Sequence, residues 1–179
     1  VSRLVDQIKE ALAAFAGLST PPALIGGLAL AAHQVVRATQ DVDFLADAED
    51  AERLHGILMG LGYHRIHRSE DAANYLRGDE GLDLLYAHRP VARRLLAQSQ
   101  ERDTVMGRLR VISVEGLIAF KLQAHVNDPT RTRDLDDIRA LLRAQRHALN
   151  IGEVQEYFAL FDRKDLLDAL LAEIDQPHA

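Results

Sequence analysis

Cysteine is absent from the 179 residues, which excludes disulfides and thiolate metal sites. No apolar run reaches the length of a membrane span. The opening VSRLVDQIKEALAAF carries charges throughout, so it reads as an amphipathic helix and not as a secretory leader. Basic charge is short as well: 21 Lys and Arg against 27 Asp and Glu leave a net charge of −6. That balance argues against a generic nucleic-acid coat, because phosphate neutralisation needs clustered Lys and Arg, although a local basic groove is still open to it. Internal repeats and low-complexity tracts are missing too. These absences point to a globular, cytoplasmic protein without a membrane segment, and an apolar fraction of 47% is enough for a real core.

The apolar residues that are present carry two periods. Leu4, Val5, Ile8, Ala11, Leu12 and Phe15 recur at helical spacing over Ser2–Gly17, and Gly17 with the STPP that follows ends the helix. Ala23–Ile25 reads as a short buried strand stopped by Gly26 and Gly27, and Leu28–Val36 as an alanine-rich helix. Val42–Ala46 is a second strand, after which Asp47 is placed to cap a helix running to Met59. YHRIHR, Asn74–Arg77 and Leu82–Ala87 read as further strands, the last two joined by the tight turn GDEG. A helix follows from Pro90 to Ala97, then a hairpin of residues 103–106 and 109–112 around Gly107 and Arg108. From Val114 the pattern is helical to Ile174. A mixed α/β front half, residues 1–113, therefore carries a helical back half, residues 114–179.

Two like charges stand on one strand side. Residues two apart on a strand share a face, so Asp41 and Asp43 project together while Val42 and Phe44 turn to the core. Asp83 is the one charged side chain in the apolar run Leu82–Ala87. With the two strands as neighbours it completes a three-carboxylate cluster, the oxygen donor set that a hard cation such as magnesium takes. Gly26 and Gly27 lie between strand and helix, where missing side chains let backbone N–H groups approach a phosphate. The alternative for the aspartates is a solvated strand end.

The order of an apolar strand, Gly-Gly, a short helix, Asp-x-Asp and a later lone Asp resembles the polymerase-beta-like nucleotidyltransferase superfamily. Within it, IGGLALAAHQVVRATQDVDFL is similar to the AbiEii-type toxins and related bacterial nucleotidyltransferases, including the Arg-x-Thr supplied by Arg37 and Thr39. SVEGLIAFKLQAHVNDPTRTRDLDDIRALL continues the likeness, which covers roughly residues 23–142. The resemblance implies an α/β (α+β) fold, a mixed sheet flanked by helices. It implies magnesium held by Asp41, Asp43 and Asp83, and an NTP such as ATP with its phosphates on Gly26, Gly27 and Lys121. Asp134 would be the acidic residue of the last motif, with Asp137 as the neighbouring alternative. Many superfamily members have serine where Gly27 stands, so one hydroxyl contact is lost here.

The implied reaction is transfer of a nucleoside monophosphate to a hydroxyl of a tRNA end, a protein or a small molecule such as an aminoglycoside. Membership of a toxin–antitoxin pair would add an antitoxin partner. The rival reading is a non-catalytic binding protein of the same fold in such a complex. Bland alternatives stand beside the individual residues. Lys121 on an apolar helix face can be a snorkelling lysine, and Asp134 an N-cap. Arg139, Arg143 and Arg146 form a basic stripe, usually a solvated face, which could also line a groove for a polyanionic acceptor. His64 and His67, three apart on a strand, are expected on opposite faces and lack zinc-site spacing.

Overall fold

The computed structural model describes residues 2–176; Val1 and residues 177–179, which the expected ranges include, lie outside the described residues. The chain divides into two compact units. One holds the residues up to Ala32 together with Arg37–Ser113, the other His33–Val36 together with the residues from Val114 on.

The first unit is built on a mixed sheet. Helix α1 (Ser2–Phe15) leads to β1 (Ala23–Ile25), α2 (Gly26–Ala32) and β2 (Asp41–Asp47). After a single 3-10 turn come α3 (Ala51–Gly60), β3 (His64–Arg68), β4 (Ala72–Arg77), β5 (Glu80–Ala87), α4 (Pro90–Ala97), β6 (Gln100–Thr104) and β7 (Gly107–Val111). The sheet order is β3-β4-β5-β2-β1-β7-β6. β2 runs parallel to β5 and antiparallel to β1, and β1 runs parallel to β7.

Alternation in β2 and β5 decides which side is covered. Val42, Phe44, Leu82 and Leu84 are buried, and the Phe15 ring of α1 meets Phe44 edge-on with centroids 5.4 Å apart. The buried Gln7 amide donates to the Gly81 carbonyl at 3.0 Å, fastening α1 to the start of β5.

Several boundaries differ from the sequence expectation, three of them for a reason visible in single residues. α2 begins at the glycines themselves and stops at Ala32, because Gln34 turns left-handed at φ 68°. Asp47 accepts from the Glu49 N–H and caps the 3-10 turn, so the α-helix starts only at Ala51. The β6–β7 turn falls at Val105 and Met106, two residues early. There Gly107 takes φ +105°, and the Thr104 hydroxyl donates to the Gly107 carbonyl at 2.7 Å. β6 was hard to see because its first four residues are exposed and polar.

The second unit is helical: α5 (Val114–Asn127), α6 (Thr132–Ala144), α7 (Ile151–Leu160) and α8 (Lys164–Ile174). Its core gathers Leu117, Ile118, Leu122, Ile138, Leu141, Leu142, Val154, Phe158, Leu167 and Leu170. Segment 33–36 joins this unit, and the His33 carbonyl accepts from the Gln145 amide at 3.0 Å.

Candidate active site

Strand register brings the acidic residues together. Asp43 is paired with Asp83 across the parallel β2–β5 ladder, and Asp41 with Gly81 two residues earlier. Paired residues share a face, so Asp41, Asp43 and Asp83 stand on one side of the sheet, away from Val42 and Phe44. Asp41 is exposed, while Asp43 and Asp83 are half-buried.

Glycines make room for these carboxylates. A Cβ added to Gly26 would lie 2.1 Å from Asp43 Oδ2, and one added to Gly81 would lie 2.1 Å from Asp41 Oδ1. Gly26 also sits at φ +67°, a conformation that a side chain strains. A Cβ on Gly27 would meet the Thr39 side chain at 2.8 Å, which gives that glycine a packing reason. Gly81 was missed in the sequence because it reads as part of a turn. The signal was its place two residues before Asp83, on the same strand face. Gly26→Ala combines left-handed strain with collision against Asp43, so we expect it to lose about 2 kcal/mol of stability, read by urea unfolding.

Asp83 titrates above the ordinary carboxylate range. Burial pushes it up, a hydrogen bond from Asn74 works the other way, and the charge of Asp41 adds to the rise. Asn74 Nδ2 donates to Asp83 Oδ1 at 2.7 Å. The raised value means that ionised Asp83 destabilises the fold at neutral pH. That penalty fades as pH falls through the raised value towards the ordinary one. Asp83→Asn removes it and keeps an acceptor for Asn74. Its Tm at pH 7 should therefore rise by about 1–3 °C, with the gain shrinking as pH falls and gone by about pH 4. A lower Tm at pH 7 would contradict the assigned cost.

Among the described residues, no group of three or more His, Asp or Glu side chains is arranged as a ready metal cage. The donor set nevertheless suits a hard divalent cation: Asp41, Asp43 and Asp83 offer oxygen alone, and the like-charge pressure on Asp83 is what such a cation relieves.

The histidines are placed differently from expectation. His64 pairs with Leu76 and His67 with Asn74, and the register shifts between Arg65 and His67. The extra residue of this bulge turns both imidazoles to one face, that of Asn74 and Asp83. A spacing of three predicts opposite faces only in a regular strand.

Lys121 and Asp134 belong to the second unit. Lys121 Nζ lies 3.0 Å from Asp134 Oδ1 and 2.9 Å from Asp137 Oδ2, and its side chain is 13% exposed. It is therefore not a snorkelling lysine with its head in water. Burial pushes Asp134 up, but bonds from Arg131, at 2.7 Å, and Lys121 outweigh it and hold the carboxyl below its usual range. Asp134 is no N-cap either, since α6 opens two residues before it. The arginine stripe is ion-paired: Arg139 with Asp136 and Glu173, Arg146 with Asp175.

No family model matches the chain, and no curated protein matches it in sequence. Solved structures do. The solution structure of the antibiotic-resistance factor ANT(2'')-Ia aligns with TM-score 0.71 at 21% identity, over 96% of this chain and 98% of that one. This is a nucleotidyltransferase fold. A crystal structure of ANT(2'')-Ia in complex with adenylyl-2''-tobramycin aligns with TM-score 0.65 at 21% identity, over 89% and 97% of the two chains. The lincosamide antibiotic adenylyltransferase LnuA, lincomycin-bound, gives TM-score 0.56 at 17% identity, over 76% and 94%. The nucleotidyltransferase fold thus extends over nearly the whole described chain, both units included. Among the described residues no helix is long and apolar enough to cross a membrane.

Proposed function

We propose that the protein is a magnesium-dependent nucleotidyltransferase that moves a nucleoside monophosphate from an NTP such as ATP to a hydroxyl of a small molecule. The observation that carries this reading is the pairing of Asp43 with Asp83 beside Gly26, within a nucleotidyltransferase fold. Asp41 and Asp43 would hold the metal that binds the triphosphate, with Asp83 beside them facing the acceptor. Bound magnesium supplies neutralisation of the triphosphate and of the charge that develops on the leaving group. Gly26 and Gly27 border the nucleotide phosphates. Asp83 takes the proton of the acceptor hydroxyl as its oxygen bonds to the α-phosphorus, the α–β bridging bond breaks, and pyrophosphate leaves. Burial supports that role, since a carboxylate held above its usual range is the better proton acceptor.

For the acceptor, a small molecule is favoured over RNA. The net charge is −6, and the arginine stripe on α6 is already paired with acidic partners. The solved neighbours named above act on antibiotics. The deciding experiment incubates the protein with α-labelled NTPs and magnesium, and supplies tobramycin, lincomycin or total tRNA in turn. Label on a small molecule supports the reading. Label on tRNA moves the acceptor to RNA and revives a toxin with an antitoxin partner. Absence of label with every acceptor would leave the non-catalytic binding protein as the better account.

A further inference from the structure

We propose that Asn74 is a positioning residue for nucleotidyl transfer, holding the Asp83 carboxylate by one oxygen so that the other is left for the acceptor proton. This rests on the reading of Asp83 given above.

Asn74 lies directly opposite Asp83 in the antiparallel β4–β5 ladder, as Asp43 lies opposite Asp83 on the other side. Its Nδ2 donates to Oδ1 at 2.7 Å, the short end of the range for N–H···O and typical of a bond to an ionised acceptor. An ionised carboxylate only accepts, which fixes the orientation of the amide. Asparagine is a poor strand former, and its neighbours Ala73 and Tyr75 are buried on the opposite face. Packing therefore gives little reason for an amide here. The geometry gives one: the amide is cross-strand from Asp83 and its N–H meets the carboxylate directly. Asn74 supplies that donor from the β4 side.

The bond has a geometric consequence. With Oδ1 engaged, rotation of the Asp83 side chain breaks a charge-assisted hydrogen bond in a half-buried place. A base must lie within hydrogen-bond reach of the proton it takes, so loss of the tether lowers turnover and leaves NTP affinity alone.

Two variants of equal shape separate the roles. Asn74→Val removes the donor, while Asn74→Thr keeps a hydroxyl donor on the same β-branched frame. Pyrophosphate release is followed with ATP, magnesium and each of tobramycin, lincomycin and total tRNA. Binding of ATP with magnesium is titrated separately, with Asp43→Asn as the inactive control. We expect Asn74→Val to lower kcat by about 10–100-fold with ATP affinity within about twofold, and Asn74→Thr to recover most of the rate. Equal rates for the two variants would overturn the proposal. So would a loss of ATP affinity and Tm that parallels the loss of kcat, which would make Asn74 part of the scaffold. An active Asn74→Val beside an inactive Asp43→Asn refutes the role of Asn74 alone. Wild-type protein inert with all three acceptors, or as active as Asp43→Asn, refutes the assignment of Asp83 and the inference with it.

Discussion

Lys121→Met should lower the unfolding free energy by about 3 kcal/mol, a drop in Tm of about 6–12 °C. Methionine keeps most of the stem but removes the ammonium that lies between two carboxylates. The side chains of Asp134 and Asp137 are only 4% and 7% exposed. Without Lys121 both nearly buried carboxylates lose the cation that lies against them, and the Arg131 guanidinium beside Asp134 is held on the exposed side. The pH dependence has a definite sign. Asp134 is held below its usual range, so the wild type has this contribution in full above the ordinary carboxylate value and loses it as pH falls through the depressed one. In the variant, acidification protonates the stranded carboxylates. The deficit should therefore be largest near pH 7 and narrow towards pH 3. A variant that melts with the wild type at neutral pH would show that the three groups are solvated and not bound to one another.

That expectation reverses what the bare pattern suggests for the same residue, and the reason is physical. Lys121 shares its helix with the apolar Leu117, Ile118 and Leu122, and helical periodicity reports only that stripe. Its partners come from the next helix, thirteen and sixteen residues on, where Asp134 looks like an ordinary first-turn acid and Asp137 like one more acid of the same helix. Contacts between elements leave no period in the sequence. Asp41, Asp43 and Asp83 were legible for the opposite reason. The strand period of two sets the first pair on one face, and a lone acid in an apolar run singles out the third. The mixed α/β class, the strands and the helical back half follow from the same periodicities.

What escaped was set by single residues. The bulge in β3 adds one position and turns His67 over, and nothing in HRIHR marks where it falls. Asn74 sits in a strand whose existence was readable, but its value depends on which strand lies beside β4 and in what register. Gly81 was hidden in a turn motif, although its missing side chain is what admits Asp41. On the sequence the glycine pair offers an opening for phosphate. In the folded chain Gly26 and Gly27 first admit Asp43 and Thr39, so their role in shaping the carboxylate site precedes any ligand.

Asp43→Asn should abolish turnover and spare the fold. Asparagine matches aspartate in size, so the close fit against Gly26 is kept, and the strand register that pairs position 43 with Asp83 does not depend on charge. The like charge that acts on half-buried Asp83 is that of Asp41, which this variant keeps, so Tm should stay level. The chemistry has no such tolerance. An amide is a weak ligand for a hard cation, and the triphosphate would then meet the remaining acids with less positive charge between them. Loss of one such electrostatic contact at a phosphoryl centre is worth about 4 kcal/mol in the transition state, or about a 10³-fold fall in kcat/KM. ATP affinity should lose its dependence on magnesium in the same variant, which calorimetric titration with and without the metal would show. Wild-type turnover in Asp43→Asn, with its fold intact by circular dichroism, would remove Asp43 from the chemistry and leave Gly26 beside it as a matter of packing alone.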